Sequence, residues 1–349
     1  MSTCAINTRL YADADAAAWD AYVQAHPSST VFHRRAWSEA VAEAYGHRPM
    51  HVTAWSAGRL AGVLPLFEVK SLIAGRVLVS VPYATYGGVV ADSREATVAL
   101  VEFAECLCRE RGAKYLELRH RESRDLDLPV IDRYDTFRKR LPERPEDVLP
   151  SLPRKTRTAV RRSIKALGPG AVRFGPHLLD VVYDLYALTL KRLGSPNYSR
   201  RFFHALGRRY GDDCVCLVVE DGGVPVSGVI SFLWRDEIVP YFSGSLPEGT
   251  EKRANNLMYL RLMEWAAERG IRWFDFNRTR RDNHGPYDFK RHHGFEPTPL
   301  HYNVYVRNGD ELPNLSPSNR KFALAGRVWQ KLPLWLTRPA GARITKWIP

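Results

Sequence analysis

Long apolar runs, paired cysteines and nucleotide-binding glycine motifs are missing from this 349-residue chain, and each absence removes a class of function. No stretch approaches the roughly 18–20 consecutive apolar residues needed to cross a bilayer. Met1 to Asp20 contain acid and no apolar signal core, so the expected location is cytoplasmic. Five cysteines are too few for a disulfide framework. Cys106 and Cys108 would leave a helix on different faces, and Cys214 and Cys216 are equally short of metal spacing, so buried core thiols are expected. His284, His292 and His293 have no carboxylate or thiol partner at ligand spacing, and no metal is expected. With no nucleophile elbow, Walker loop or Rossmann fingerprint, the sequence argues against serine-hydrolase, kinase-like and NAD chemistry. Acid is also scarce: 38 Asp and Glu face 51 Lys and Arg, a net charge of +13 that points to an anionic partner.

What the chain does contain is a repeat. Residues 51–67 read as strand, glycine turn, strand, and 98–119 follow as a helix entering a further strand. Residues 216–232 and 257–278 have the same grammar, and the helix exits coincide, Arg111 to Arg119 against Arg269 to Asn277. One long unit occurring twice predicts a tandem α/β protein with two copies of one domain. The expected division is 1–145, 146–306 and a C-terminal tail 307–349, with function between or across the copies.

Trp37, Val41 and Tyr45 recur on one helical face, and Thr97 to Gly112 read as an amphipathic helix. Residues 141–153 hold four prolines and read as the connector between copies. Directly after it, Arg154 to Lys165 form a basic helix without a single acidic residue, with Arg157 and Arg161 among its cations. Residues 178–193 and 202–210 supply two more amphipathic helices. From Lys321 on, Trp329, Trp335 and Trp347 alternate with Arg327, Lys331, Arg338, Arg343 and Lys346. That composition suits either an anionic membrane face, with the protein peripheral at the inner side, or a tail folded back on the body, and Pro333 and Pro339 limit a continuous helix there.

The densest polar constellation begins on the strand Trp273 to Asn277 and continues as a polar loop through Arg278 to Phe295. Ligands of α/β sheets settle beyond the carboxyl ends of strands. Asp275 shares a face with Trp273 and Asn277, opposite Phe274 and Phe276, and is either a structural hydrogen-bond hub or a binding group.

Phe289, Lys290, Gly294 and Phe295 resemble the Phe-Lys-x-x-x-Gly-Phe signature of FemAB/FemX-like transferases, which are built from two GNAT (acyl-CoA N-acyltransferase-like) domains. The basic helix after Leu152 and the segment Val31 to Trp37 are similar to that family too. The likeness covers residues 20–306 and is nearest to the branch associated with exopolysaccharide and PEP-CTERM (exosortase) gene sets. The resemblance implies a tandem-GNAT fold, acyl or aminoacyl transfer to an amine, and a reactive centre in the second domain. Lys290 would be catalytic, stabilising a developing oxyanion. Phe289, Tyr287, Asp275, Asn277 and Arg278 would bind substrate, Tyr241, Ser243 and Ser245 would line the acceptor cleft, and Arg157 and Arg161 would meet phosphates. The turn from Gly249 to Asn256 lacks the family's usual pyrophosphate-binding glycines, yet Lys252, Arg253 and Asn255 could receive an anion at a helix N-terminus.

No permanently bound cofactor is implied; the donor is an acyl thioester or an aminoacyl-tRNA. The acceptor is a small anionic molecule, a sugar nucleotide or lipid-linked saccharide (or peptide) precursor of the cell envelope or exopolysaccharide. Two alternatives stand beside this reading: an aminoacyl-tRNA-dependent peptidyltransferase of peptidoglycan type, and a catalytically silent scaffold at the membrane.

Overall fold

The computed structural model describes residues 5–72, 74–307 and 320–348. In chain order it begins with β1 (Ile6–Leu10), α1 (Ala16–Ala25), α2 (Arg35–Tyr45), β2 (Arg48–Pro49), β3 (Val52–Ser56), β4 (Arg59–Leu64), β5 (Phe67–Ser71), β6 (Gly75–Val79), β7 (Val90–Ala91), α3 (Arg94–Glu110), β8 (Tyr115–Arg119) and β9 (Val130–Ile131). Next come β10 (Tyr134–Arg140), α4 (Pro145–Ser151), α5 (Arg154–Leu167), β11 (Val172–Phe174), α6 (Leu179–Leu193), α7 (Arg200–Tyr210), β12 (Cys214–Asp221), β13 (Val224–Trp234) and β14 (Glu237–Ser245). The remainder is α8 (Pro247–Glu251), α9 (Ala254–Glu268), β15 (Trp273–Asp275), β16 (Thr279–Arg280), α10 (His284–His292), β17 (Pro297–Pro299), β18 (Tyr302–Val306), α11 (Arg320–Lys331) and α12 (Leu334–Thr345).

Two compact units result, one holding the described residues of Met1–Asp132, Leu300–Leu315 and Lys346–Pro349, the other those of Arg133–Pro299 and Ser316–Thr345. The observed division differs from the expected 1–145, 146–306 and 307–349. β10, expected in the first copy, pairs with β15, β16 and β17 in the second unit's sheet. β18, expected to close the second copy, pairs with β8 and β9 in the first. A strand belongs where its backbone donors and acceptors find partners, and neither ladder is visible in hydropathy.

The first unit has two sheets, ordered β1-β3-β4-β7 and β2-β5-β6-β8-β18-β9, and the second has one, ordered β11-β12-β13-β14-β15-β10-β16. Although the first unit splits into two sheets, several details of the repeat recur. The β3–β4 hairpin turns at Ala57 and Gly58 and the β12–β13 hairpin at Gly222 and Gly223, all four with positive φ, the conformation that matches strand twist. Each hairpin carries a bulge at the same step, Ala54/Trp55 and Val219/Glu220. Each unit then joins two parallel strands for two residue pairs, Leu78 and Val79 with Leu116 and Glu117, and Glu237 and Ile238 with Trp273 and Phe274.

Apolar residues of α3 (Leu100, Ala104) cover Val52, Leu64, Leu78 and Leu116 in the first unit. In the second, α9 (Leu257, Met258, Leu262) covers Leu217, Val229, Ile238 and Phe274. On the other face α6 lies directly on the sheet: a Cβ at Gly244 would sit 2.3 Å from the Leu185 carbonyl, so only glycine allows this approach.

Three local expectations are corrected. Residues 141–153 are not an open connector: α4 forms with Pro145 in its first turn, where a missing N–H costs nothing, and it buries Val148 while Leu152 is buried just beyond it. The polar loop after Asn277 contains α10, whose inward residues include Lys290, a residue type that hydropathy counts as outward. The tail forms α11 and α12, broken at Pro333, and α12 tolerates Pro339 on its exposed side. As expected, α2 spans Trp37 to Tyr45. Cys108, Cys214 and Cys216 are buried, but Cys106 is exposed because it points away from Cys108 on α3; Cys4 lies outside the described residues.

The first unit carries a pH liability. His33, His47 and His51 are held down to about 4 and His120 to about 3, in each case chiefly by burial. An unfolded histidine titrates near 6.5, so between that value and about 4 the unfolded chain binds more protons and stability falls as pH falls. One pH unit below the unfolded value, each such group costs roughly 1.4 kcal/mol and the four together roughly 6 kcal/mol. The second unit has one counterpart, His293, also held near 4. Between pH 7 and 5, hydrogen exchange is therefore expected to show amides of 52–119 losing protection before those of 214–245; the reverse order would contradict this account.

Candidate active site

The site is built where β14 and β15 part. Their pairing stops at Ile238 and Phe274. Beyond it Pro240 has no N–H to offer, and the register of β14 against β13 shifts at Tyr241, with Ile230 facing Phe242 and Ser231 facing Pro240. On the other edge the chain turns at Asn277, a non-glycine residue at φ +60°. The Asn277 Nδ2 donates to the Pro240 carbonyl at 3.0 Å and so spans the gap. Its Oδ1 is buried without a hydrogen-bond partner, as is the hydroxyl of Ser231. Such atoms are costly unless something pairs with them.

Two side chains hold this turn, those of Asp275 and Lys290. Asp275, fully buried, accepts from the Asn277 backbone N–H at 2.7 Å and from Thr136 Oγ1 at 3.4 Å. Lys290 reaches in from α10, and its Nζ donates to the carbonyls of Phe276, Asn277 and Arg278 at 2.6, 2.9 and 3.3 Å. Burial pushes its ammonium down to about 7, with the Asp275 carboxylate pulling the other way. All three ammonium donors are directed at backbone, so the group clamps the turn. Tyr287 donates to Asp135 Oδ2 at 2.6 Å and Arg281 to Asp135 Oδ1 at 2.8 Å, tying α10 to β10. Burial first, then that bond to Asp135, raises the Tyr287 phenol above its ordinary value. The rings of Phe289 and His293 pack tilted with centroids 4.2 Å apart, and Arg278 lies over the Tyr134 ring at 4.7 Å.

The other expected residues divide. Ser243, exposed, is hydrogen-bonded to Tyr259 of α9, whose phenol is raised by burial and eased back by that bond. Tyr241 is half-buried beside it, while Ser245 is buried and its carbonyl accepts from Thr189 and Arg192. Of the anion candidates, Lys252 is paired with Asp221 and Asn255 accepts from Ser227 at 2.6 Å. Arg253 is exposed, at φ +57° before α9. On α5, Arg157 donates to the carbonyls of Pro150 and Leu152, closing the end of α4, whereas Arg161 is exposed. Asp135, Thr136, Ser231 and Tyr259 were not expected here. The first two sit on β10, whose place is set by long-range pairing, but Tyr259 was readable as the polar-tipped aromatic within an apolar helix face.

The first unit has the same gap and fills it. Arg119 stands where Asn277 stands in the repeat, and its Nη1 donates to the carbonyls of Val81 and Ala84 at 3.3 and 3.1 Å. Gly88 N–H bonds to the Arg119 carbonyl at 3.0 Å, and Ser80 N–H to that of Glu117 at 2.9 Å. Val81, Tyr83, Ala84 and Tyr86 are buried behind them.

Among the described residues no cluster of three or more His, Cys, Asp or Glu is arranged for a metal ion, and no helix is long and apolar enough to cross a membrane.

Residues 154–291 match the model of the acetyltransferase (GNAT) domain. No curated protein sequence matches the chain. Among solved structures, FemX is similar over 86% of this chain and 98% of its own, at 16% identity and a TM-score of 0.61. The C-terminal domain of a putative lysylphosphatidylglycerol synthetase from Agrobacterium fabrum is similar over 90% and 94%, at 10% identity and 0.53. A tandem GNAT protein from the clavulanic acid biosynthesis pathway is similar over 88% and 100%, at 12% identity and 0.50. At these identities the likeness is one of fold. The gap at the end of β14, the bulge at its edge and the helix α9 behind it all fall inside the matched segment, so residues 154–291 form a GNAT acetyltransferase domain and the chain that carries them is an acyltransferase of tandem-GNAT fold.

Proposed function

We propose that the chain transfers an acyl or aminoacyl group to an amine of a sugar-nucleotide or lipid-linked saccharide precursor in envelope or exopolysaccharide synthesis, in the setting of exosortase gene sets. The observation that carries this reading is the gap between β14 and β15, where Asn277 Oδ1 is buried and unpaired. Splayed strands can receive a linear donor through backbone hydrogen bonds, and an amide or amine N–H of that donor is the partner Asn277 Oδ1 needs. In this reading Tyr241, Ser243 and Tyr259 line the donor's path, and the closed gap of the first unit makes it a supporting copy. Lys290 acts as a positioning residue, in place of the catalytic role its signature implies, because its donors are committed to the turn.

The aminoacyl-tRNA donor remains a second reading, favoured by α5, where Arg154, Lys155, Arg161, Arg162 and Lys165 are all exposed with no acid among them. Thermal shifts of the purified chain against acyl-CoA thioesters, UDP-sugars and charged tRNA separate the two, because a ligand selective for the native state raises its melting temperature. A rise with thioester or UDP-sugar supports the leading reading. A rise with tRNA alone, steeply weakened by salt as phosphate contacts must be, would replace it with the second, and silence throughout would favour the scaffold.

A further inference from the structure

The C-terminal helices leave an apolar and basic surface that the transfer reaction does not account for. Of the nine large apolar side chains left exposed among the described residues, five fall here: Leu193 at the end of α6, Leu324 and Val328 on α11, and Trp335 and Leu336 on α12. This is not a loosely held tail. α12 buries Thr337, Gly341 and Thr345, one residue every turn. A Cβ at Gly341 would stand 2.5 Å from Asn197 Oδ1, and Asn197 Nδ2 donates to the Arg338 carbonyl at 3.2 Å. α11 lies on the end of α6, where Gly326 and Gly194 meet at backbone distance and Lys191 Nζ donates to the Gln330 carbonyl at 3.0 Å.

With those faces fixed inward, helical spacing puts Leu324, Val328 and Trp335 outward together with Arg327, Lys331 and Arg343, all exposed. Residues 320–349 contain no aspartate or glutamate. A protein partner would have to supply acidic groups for these cations and a pocket for the tryptophan. A bilayer supplies an apolar interior for the rings and aliphatic groups and anionic headgroups for the cations at the same depth.

We infer that the outer face of α11 and α12, with Leu193, docks on an anionic lipid bilayer. The surface borders an open pocket of about 400 Å³ lined by Leu188, Lys191, Arg192, Ser245, Leu246, Pro247 and Gln330, at the end of β14. Docking brings that pocket to the membrane surface, where a lipid-linked acceptor would reside. The docking itself does not depend on the transfer chemistry.

Cosedimentation of the full chain with vesicles tests it, comparing phosphatidylglycerol-containing with pure phosphatidylcholine membranes at low and high salt. Binding is expected only to the anionic vesicles and is expected to fall with salt. Arg327→Gln, Lys331→Gln and Arg343→Gln combined should weaken it roughly a hundredfold, since each cation near such a surface is worth about fivefold. Leu324→Asn, Val328→Asn and Trp335→Gln combined should weaken it at least tenfold while melting temperature stays unchanged, these side chains being exposed. No binding to anionic vesicles at low salt, or binding indifferent to both variants, would overturn the inference. So would an apolar variant that converts an oligomer to a monomer and leaves vesicle binding intact, because the surface would then be a contact between copies.

Discussion

Lys290→Met is expected to destabilise the second unit by about 3 kcal/mol or more, because it removes the donor to three buried carbonyls while keeping the side chain's volume. The turn at 276–278 would lose its clamp, and with it the placement of Asn277 across the gap, so turnover should drop at least a hundredfold. A group that only held the turn and one that also touched the reacting atoms would both give that loss. The clamp itself is therefore read in stability rather than in turnover. The folded ammonium titrates near 7 against 10.5 in the unfolded chain, so between these values the unfolded state binds more protons and stability rises with pH. Urea unfolding near pH 7 and pH 10 should show this rise in the wild type and its absence in Lys290→Met. If the variant unfolds like the wild type at both values, Lys290 is not the clamp described above.

Asn277→Arg should transplant the first unit's solution into the second. Arg119 closes its own gap through the carbonyls of Val81 and Ala84, and an arginine at 277 meets the equivalent strand end at Pro240 and Tyr241. Donor affinity is expected to fall a hundredfold or more, since a guanidinium would occupy the space and consume the acceptors a donor chain needs. Stability should fall by only about 1 kcal/mol, because an arginine is less favoured than asparagine at φ +60° while its guanidinium gains carbonyl partners in the gap. Calorimetric titration with donor reads the first effect and thermal melting the second. Unchanged donor affinity in a folded variant would place the donor elsewhere.

Much of this architecture was legible in residue order. Two glycine-turn hairpins, each followed by a helix ending on matched strands, announce a duplication, and the structure repeats it down to the bulge at Trp55 and Glu220. Local patterns also located the strand that begins at Trp273, although it ends at Asp275 and the chain turns at Asn277 in place of continuing as expected. What stayed hidden was non-local. Nothing in Tyr134 to Arg140 says that this strand will flank β15, so Asp135 and Thr136 could not be assigned to the site. Charge misled in the other direction, since Lys290 and Tyr287 turn inward on α10 through bonds to Phe276, Asn277 and Asp135 that hydropathy cannot see. The same holds for Lys252 and Arg157, cations that suggested anion binding and are engaged by Asp221 and by the end of α4.

The account rests on one open gap and one closed one, which makes donor stoichiometry its most direct test. Isothermal titration of the chain with whichever donor raises its melting temperature should give one site per chain, absent in Asn277→Arg and intact when the first unit is altered by Arg119→Lys. Two sites per chain, or a single site lost with Arg119→Lys and retained in Asn277→Arg, would contradict it.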